Sequence, residues 1–281
     1  MASKGIPLPW RWNGGTISLN LGVIWEMSAQ LDASSSASLS AHISGATLGF
    51  AGRVLFDGLD MTLEAGRWTC LLGPTGVGKT SLLRLFAGLA AADGDRVVTC
   101  GDGEPIAGRV AYMAQQDLLM PWLTVIENVV IGSRLRGARP AYERARELLD
   151  SVGLADRADD YPRVLSGGMR QRTALIRTLM EDRPIVLMDE PFSALDAITR
   201  LRLQSMAAEL LRGRTVLLVT HDPLEALRLG DRIHVMAGSP ARLDEAMTPA
   251  GATPRDPADR ALLVLQAELL ARLAAADGSE G

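Results

Sequence analysis

Cysteine is scarce in this sequence, with only Cys70 and Cys100 among 281 residues. Two cysteines are too few for a disulfide framework, and such low usage suits a reducing compartment such as the cytosol. Cys70 falls inside a short apolar run, where a small core residue is expected rather than a metal ligand or a redox group.

The sequence also lacks an excess of positive charge and a long apolar segment. Its formal net charge is -4, with 29 Lys and Arg against 33 Asp and Glu. No general basic field draws such a chain to nucleic acid, which is therefore not an expected partner. No apolar run approaches the ~18 residues of a membrane span. If the protein serves a membrane process, other chains must cross the bilayer.

Apolar sequence is present in the amount that a sizeable core needs. Hydrophobic residues make up 47% of the chain, which predicts one large α/β domain or one domain with a helical insertion. Residues 1–41 differ from the rest, because tryptophans crowd there and residues 32–40 are a Ser/Ala run of linker composition. Three interpretations stay open: a signal peptide, a disordered or partner-binding extension, and a true start at Met27, which we favour.

The most informative segment is residues 73–80, with the sequence Gly-Pro-Thr-Gly-Val-Gly-Lys-Thr. A short apolar strand is predicted over residues 67–72, and leucines at helical spacing follow over residues 81–89. A glycine-rich turn between a strand and a helix is the context of a phosphate-binding loop, whose backbone N–H groups point at phosphate oxygens. The segment predicts a nucleoside triphosphate site in which Lys79 bridges the β- and γ-phosphates and the Thr80 hydroxyl is a Mg²⁺ ligand.

Antiparallel strands are predicted ahead of this loop, over residues 46–50 and 54–63. Phe50 ends the first of them. Its ring could stack on adenine, since a π-face binds a flat base without sequence-specific hydrogen bonds. The alternative is that Phe50 is a plain core residue.

A further strand is predicted over residues 109–114, directly before Gln115. A glutamine where a strand ends can put its amide near a metal-bound water. Residues 118–125 then form an apolar run around Pro121 and Trp122, and an apolar patch in a loop suggests a docking surface. The alternative makes Gln115 a solvated turn residue and Trp122 a cover over the core.

A second anion site is predicted where the sequence Leu-Ser-Gly-Gly, residues 165–168, opens a helix that runs to about residue 180. Ser166 is a good N-cap, and Gly167 and Gly168 leave the first-turn N–H groups bare. As an isolated pattern, Ser-Gly-Gly is usually no more than a capped turn.

Residues 185–188 are a continuous apolar run, as expected of a strand buried on both faces of a parallel sheet. The run ends in Asp189, an acid placed to hold Mg²⁺ through water beside a phosphate loop. Glu190 follows and could polarise an attacking water as general base. The alternative is a surface Asp-Glu pair.

Another buried strand is predicted over residues 215–220, and it ends in His221. An imidazole at this edge of the sheet could contact the γ-phosphate and sense its presence. Long helices are expected over residues 197–211 and 258–275. The apolar face of the second either packs on the domain or meets another subunit.

Together these motifs resemble the nucleotide-binding subunit of an ATP-binding cassette (ABC) transporter, over residues 43–237. The resemblance implies an α/β P-loop NTPase fold with a mixed central sheet, an antiparallel β subdomain and a helical signature subdomain. It places the ABC ATPase domain at residues 42–240, with the helical subdomain at about 116–182. Residues 1–41 are then an N-terminal extension, and residues 241–281 a linker and an amphipathic helix.

The resemblance also implies a Mg²⁺-dependent ATPase and assigns a role to each motif. The catalytic residues are Gln115, Glu190 and His221, and Mg²⁺ is assigned to Thr80, Asp189 and Gln115. Departures from the family pattern are small, with Thr75 where serine is often found and Met169 where glutamine is commoner. The nucleotide-binding residues are Phe50 at adenine, Gly73, Pro74, Thr75, Gly76, Val77, Gly78, Lys79, Thr80 and Ser81 in the Walker A loop, Ser166, Gly167 and Gly168 in the signature, and Asp196 in the D-loop.

Partners follow from the same resemblance. In similar proteins two subunits dimerise head to tail, so that each ATP lies between the Walker A loop of one and the signature of the other. Integral-membrane permease subunits are expected to dock near Leu118, Pro121 and Trp122, and a periplasmic substrate-binding protein would act indirectly. The expected location is peripheral, on the cytoplasmic face of the inner membrane.

Residues 119–122, 168–172 and 196–200 further resemble bacterial importers of nitrate, sulfonate, taurine and thiamine-precursor pyrimidines. Residues 67–70 incline toward the pyrimidine-precursor branch. The alternative class is a soluble cassette ATPase of DNA repair, translation or cluster assembly. Such proteins tend to carry coiled-coil insertions, paired cassettes or basic extensions, none of which is found between Ser81 and Ser166.

Overall fold

The computed structural model describes residues 10–13, 16–19, 38–50, 53–90, 92 and 98–277. The chain divides into two compact units, Met1–Ala37 and Ser38–Gly281. In the first unit, β1 (Trp10–Asn13) and β2 (Thr16–Leu19) pair as an antiparallel hairpin. The predicted start at Met27 lies outside the described residues, and the predicted domain boundaries stay predictions.

A six-stranded sheet forms the centre of the second unit. Neighbouring strands pair in parallel except at one edge, where the last two are antiparallel, so the prediction of a mixed central sheet is confirmed. Three inner strands are buried at every residue, as their continuous apolar sequence indicates for a sheet covered on both faces. In spatial order the strands are β11 (Arg242–Leu243), β10 (Arg232–Ala237), β5 (Trp68–Leu72), β9 (Thr215–Val219), β8 (Ile185–Asp189) and β7 (Val110–Met113).

A second, three-stranded sheet is antiparallel, which confirms the predicted β subdomain. It consists of β3 (Ala41–Phe50) between β4 (Arg53–Leu63) and β6 (Val98–Cys100). The sequence predicted only turns at β6, because three residues are too few to show a strand pattern. The two sheets share one hydrophobic core, in which Phe56 and Phe86 are fully buried.

The helices lie in three stretches of the chain. The first is α1 (Lys79–Phe86), directly after the phosphate loop. The second stretch lies between β7 and β8, and the third follows β8. In the middle segment lie α2 (Val125–Val129), α3 (Ile131–Leu135), α4 (Tyr142–Ser151) and α5 (Gly167–Leu179), with short 3-10 turns at Ala155–Arg157 and Pro162–Val164. After β8 come α6 (Ala197–Leu210), α7 (Pro223–Leu229) and α8 (Arg260–Asp277).

The C-terminal helix α8 packs on the domain, against α7 and β10. It begins two residues later than predicted, because the Asp259 side chain accepts a hydrogen bond from the Ala261 N–H and stands before the first turn. Its buried residues are Leu262, Leu269 and Ala276. No helix in the described part of the chain is long and apolar enough to cross a membrane.

Candidate active site

The predicted phosphate-binding loop lies between β5 and α1, and its glycines adopt conformations that other residues avoid. Gly73, Gly76 and Gly78 have φ values of 147°, 86° and 112°. A Cβ on Gly73 would collide with the Met236 carbonyl oxygen, and one on Gly78 would lie 2.9 Å from the Phe56 ring. The loop therefore requires glycine both for its backbone angles and for the close approach of its neighbours.

Two side chains at the start of α1 hold the loop. Lys79 Nζ donates hydrogen bonds to the carbonyl oxygens of Gly73 at 2.8 Å and Pro74 at 2.6 Å. Thr80 Oγ1 donates to Asp189 Oδ2 at 2.8 Å, which joins the loop to the end of β8. The hydroxyl and the carboxylate that were predicted to hold a metal are thus adjacent.

The remaining loop residues surround these contacts. Val77 is buried and anchors the loop in the core, whereas Thr75 and Gly76 are exposed at its tip. Ser81 is half-buried on the first turn of α1. The exposed tip leaves the N–H groups of the loop open to a ligand.

The Asp189 carboxylate is buried, with the residue only 2% exposed. Burial raises the pKa of this carboxyl, and the neighbouring Glu190 charge adds to the effect, while the hydrogen bond from Thr80 opposes it. A bound dication would favour the charged form. The hydroxyl and carboxylate here, with the side-chain oxygen of Gln115, are the hard oxygen ligands that Mg²⁺ prefers, so the donor set fits Mg²⁺ that also keeps water and phosphate ligands.

The Glu190 carboxylate lies between two loops. Gln115 Nε2 donates to Glu190 Oε2 at 3.3 Å, and His221 Nδ1 lies 3.3 Å from Oε1. The Glu190 side chain is 19% exposed and the His221 side chain 64% exposed. The structure therefore brings together the three residues that were predicted to be catalytic, at the carboxyl edge of the sheet.

The backbone of Glu190 is strained and held from several sides. Its φ of 49° is left-handed, a conformation that costs a non-glycine residue about 1–3 kcal/mol and persists only where the surroundings impose it. Its N–H donates to the Val219 carbonyl oxygen at 2.9 Å, and its carbonyl oxygen accepts from Gln171 Nε2 at 2.9 Å and from Ser193 Oγ at 3.0 Å. Sequence reasoning missed Gln171, because a single glutamine on a helix shows its contact only once the helix is placed against β8.

The signature segment opens α5 as predicted. Ser166 is the N-cap, with Oγ accepting from the Met169 N–H at 3.3 Å, and both Ser166 and Gly167 are exposed. A Cβ on Gly168 would lie 3.1 Å from the Ala194 carbonyl oxygen, so this glycine lets α5 approach the segment after β8. The start of α5 is therefore open to solvent at Ser166 and Gly167, and its role as a second anion site stays a prediction.

Two predicted nucleotide contacts lie farther from these groups along the chain. Asp196 is exposed and caps α6, its Oδ1 accepting from the Thr199 N–H at 3.0 Å, and hydrogen bonds from Thr199 lower the pKa of its carboxyl. Phe50 is the last residue of β3, where its backbone pairs with Arg53. The position of its ring lies outside the described side chains, so adenine stacking stays a prediction.

The segment after Gln115 is anchored to α5 by two arginines. Arg170 Nε donates to Asp117 Oδ2 at 2.9 Å, and Arg177 donates to the carbonyl oxygens of Asp117 and Leu118 at 2.6 and 2.8 Å. Burial lowers the pKa of the Arg177 guanidinium, which these contacts nevertheless satisfy. A cleft of about 450 Å³ lies between this segment and the start of α5.

The apolar run over residues 118–125 is only partly a surface, which corrects the prediction of one continuous patch. Leu118 is 54% and Trp122 70% exposed, whereas Leu119 is 8% exposed and Val125 is fully buried. Pro121 is exposed beside Trp122. Within the run, Leu119 and Val125 turn inward and join the core, whereas the neighbouring Pro121 and Trp122 both face solvent.

A buried asparagine imposes that turn. Asn128, fully buried, accepts from the Met120 N–H at 2.7 Å and donates to the carbonyl oxygens of Met120, Leu123 and Thr124 at 3.0 to 3.1 Å. The exposed residues Leu118, Pro121 and Trp122 therefore project from a loop whose path these hydrogen bonds fix.

These features define a P-loop nucleoside triphosphatase of the cassette type. They are the phosphate-binding loop, the buried acid at the end of the adjacent strand, and the carboxylate that a glutamine and a histidine contact. The family model described as ABC transporter matches residues 56–193. Aliphatic sulfonates import ATP-binding protein SsuB 1 of Pseudomonas syringae pv. syringae is 41% identical over 228 residues, which cover 80% of this chain and 92% of that protein. An uncharacterized ABC transporter ATP-binding protein of Haemophilus influenzae is 42% identical over 240 residues, covering 83% of this chain and 98% of that protein.

A solved structure, the ATP-binding cassette MJ0796 described as a dimer in a post-hydrolysis state with ADP and Pi, superposes with a TM-score of 0.66. It is 26% identical and matches 75% of this chain and 100% of its own. This chain belongs to the family of ABC transporter ATP-binding proteins. It is an ATPase of that family, and the predicted fold class and enzyme class are confirmed.

Proposed function

We propose that this chain is the ATP-hydrolysing subunit of an importer for small organic anions of the aliphatic sulfonate class. The observation that carries the hydrolytic part is the Glu190 carboxylate, which has both Gln115 and His221 within 3.3 Å. The substrate class is supported by relatives at about 40% identity that are named aliphatic sulfonates import ATP-binding proteins. The narrower pyrimidine-precursor branch stays a prediction.

The phosphate loop would grip ATP, with Lys79 turning from the loop carbonyls to the β- and γ-phosphates. Thr80 and Asp189 would hold Mg²⁺, with Gln115 at its edge, and the ion when bound would neutralise charge on the phosphates. The Thr80 to Asp189 hydrogen bond of 2.8 Å supports this assignment, because the two ligands already lie side by side. The other loop residues, 73–78 and 81, would enclose the phosphates.

Glu190 would act as the general base, taking a proton from the water that attacks the γ-phosphate. A carboxylate that accepts a proton at the moment of attack lowers the cost of forming hydroxide, an effect of about 10²–10⁴-fold in rate. Gln115 and His221 would orient that carboxylate, and His221 would also reach the γ-phosphate. The exposure of His221 supports this role, because its ring is open to a ligand.

Two copies would pair head to tail, and Ser166, Gly167, Gly168 and Asp196 of one would complete the site of the other. The exposed N-terminal turn of α5 supports this arrangement. The permease subunits would dock at Leu118, Pro121 and Trp122, on the cytoplasmic face of the inner membrane, with a periplasmic binding protein delivering the substrate. The soluble alternative is not favoured, because the relatives described above carry transport or import in their names.

The test combines transport and hydrolysis on one set of variants. Cells that lack this gene should lose uptake of a labelled alkanesulfonate, and the wild-type gene should restore it while Glu190→Gln does not. Purified Glu190→Gln protein should keep ATP binding but lose about 10²–10⁴-fold in ATPase rate. Arg212→Gln, at an exposed residue just beyond the end of α6, is the matched control and should restore uptake.

The two halves of the proposal fail separately. Unchanged alkanesulfonate uptake in the deletion strain would assign another substrate to the transporter. Full ATPase turnover by Glu190→Gln would remove the general base and leave the substrate class untouched.

A further inference from the structure

One arginine contacts both the loop that continues from Glu190 to α6 and the turn that carries His221. Arg200, on the first turn of α6, donates from Nη2 to the Leu195 carbonyl oxygen at 3.0 Å and from Nη1 to Asp222 Oδ2 at 3.4 Å. Leu195 lies in the loop between β8 and α6, and Asp222 directly follows His221. The guanidinium is therefore a bridge between the D-loop segment and the histidine turn.

Asp222 shapes the turn that carries His221. Its Oδ1 accepts from the N–H groups of Leu224 at 2.9 Å and Glu225 at 3.3 Å, which caps α7. Its own N–H donates to Thr220 Oγ1 at 3.1 Å, which closes the backbone across His221. The position of the Asp222 carboxylate thus determines where the imidazole stands relative to Glu190.

Arg200 lines the same small cavity as Glu190. Glu190, Ser193, Arg200 and His221 all line one cavity of about 10 Å³, no larger than a single water. Arg200 Nε is buried and has no hydrogen-bond partner among the described residues. With so little free space, a displacement of the arginine is transmitted to the side chains that surround Glu190.

We propose that Arg200 is a positioning residue for ATP hydrolysis, which holds the segment over residues 193–196 and the His221 turn in register around Glu190. The inference rests on the general-base role proposed above for Glu190. The planar fork of arginine offers two Nη donors to two acceptors at once, which a single ammonium on a flexible stem does not reproduce. In this role Arg200 would act through Leu195 and Asp222, its hydrogen-bond partners, and not on the phosphate itself.

The test compares three substitutions in the full-length chain. Arg200→Gln removes the bridge and should lower kcat about 10- to 100-fold, the range expected when a catalytic group is displaced by about 1 Å. KM for ATP should stay within about twofold, because the phosphate loop is untouched. Arg200→Lys should restore kcat only in part.

Asp222→Asn isolates the bridge from the helix cap. Asparagine caps helices as well as aspartate does, so α7 keeps its start while the charge that Arg200 meets is lost. The kcat of Asp222→Asn should fall as well. The double variant Arg200→Gln with Asp222→Asn should be no slower than Arg200→Gln alone, because the two substitutions remove the same contact. Arg212→Gln is the control, since Arg212 lies just beyond α6 and, among the described residues, its side chain pairs only with Glu209.

The outcomes separate this inference from the proposed function. If Glu190→Gln is inactive while Arg200→Gln and Asp222→Asn both keep the wild-type kcat, the positioning role is refuted and the general base stands. If Glu190→Gln turns over normally, both are refuted. If Arg200→Gln unfolds, Asp222→Asn decides: a normal kcat in that variant, with a normal Tm, overturns the inference.

Discussion

The buried carboxyl of Glu225 makes the stability of this protein depend on pH near neutrality. The residue lies on α7, is 4% exposed, and accepts a hydrogen bond from Gln204 Nε2 at 3.0 Å. Burial raises the pKa of Glu225 from 4.5 to about 7, with Asp222 adding to the effect, while hydrogen bonds from Thr220 and Gln204 and the charge of Arg200 oppose it. Burial therefore outweighs the groups that would keep the carboxylate charged.

The sign of the effect follows from proton binding. Between pH 4.5 and about 7 the folded chain holds a proton on Glu225 that the unfolded chain releases, so this contribution to stability is full below pH 4.5 and is lost as pH rises through 7. At about 1.4 kcal/mol per pH unit, the loss amounts to about 3 kcal/mol. Glu225→Gln keeps a side-chain oxygen for Gln204 and removes the charge. It should be up to about 3 kcal/mol more stable than the wild type at pH 8 and nearly equal to it at pH 5.

Urea denaturation at pH 5, 6, 7 and 8 measures this difference. The wild type should lose unfolding free energy across the series relative to Glu225→Gln, with equal m values at each pH. Glu268→Gln, at a half-exposed carboxylate on α8, is the matched control and should follow the wild type. Parallel curves for the wild type and Glu225→Gln would show that burial does not hold a proton on Glu225.

Four further variants test the site and its surfaces. Lys79→Ala should weaken ATP binding about 10-fold or more, because it deletes charge-assisted hydrogen bonds to phosphate; unchanged affinity in calorimetric titration would contradict the loop assignment. Ser166→Arg should cost only about 1 kcal/mol of stability through the lost cap yet block ATPase activity, and normal turnover would argue against a shared site. Trp122→Ala should keep soluble ATPase activity and reduce uptake by the whole transporter, whereas Leu119→Asp should unfold the chain; normal uptake by Trp122→Ala would move the docking surface elsewhere.

The strands that carry the site were predictable because their own residues are apolar, and this local pattern indicates burial. Residues 185–188 and 216–219 are continuous apolar runs, and both lie in inner strands with every residue buried. The acid and the histidine that end these runs must then emerge at one edge of a parallel sheet. Gln115 follows β7 and lies at the same edge. The convergence of these three motifs was therefore predictable from the sequence, since each follows a strand of the same parallel sheet.

The contacts that hold these residues in place were not predictable. Gln171 and Arg200 both bind backbone carbonyl oxygens on other elements, and such bonds depend on where helices pack rather than on residue type. The inward turn of Leu119 was missed for a related reason, because Asn128 sets the path of that loop from the following helix. The periodicity of apolar residues predicts which face of a helix or strand is buried. It does not predict which carbonyl oxygen a long polar side chain will bind.

The contacts of the Glu190 carboxylate affect how it would act as the base in the proposed reaction. Both of its carboxylate oxygens have a partner, and both distances are 3.3 Å, just beyond the usual N–H···O range of about 2.7–3.2 Å. Contacts of that length are weak and exchange readily for water. A general base must reach the proton that it takes, and each carboxylate oxygen can accept more than one hydrogen bond, so a water can bind Glu190 while Gln115 and His221 still orient it. In the proposed reaction the loops that carry Gln115 and His221 therefore set the orientation of the base, and a nucleotide that moved either loop would change the rate of hydrolysis without contacting Glu190.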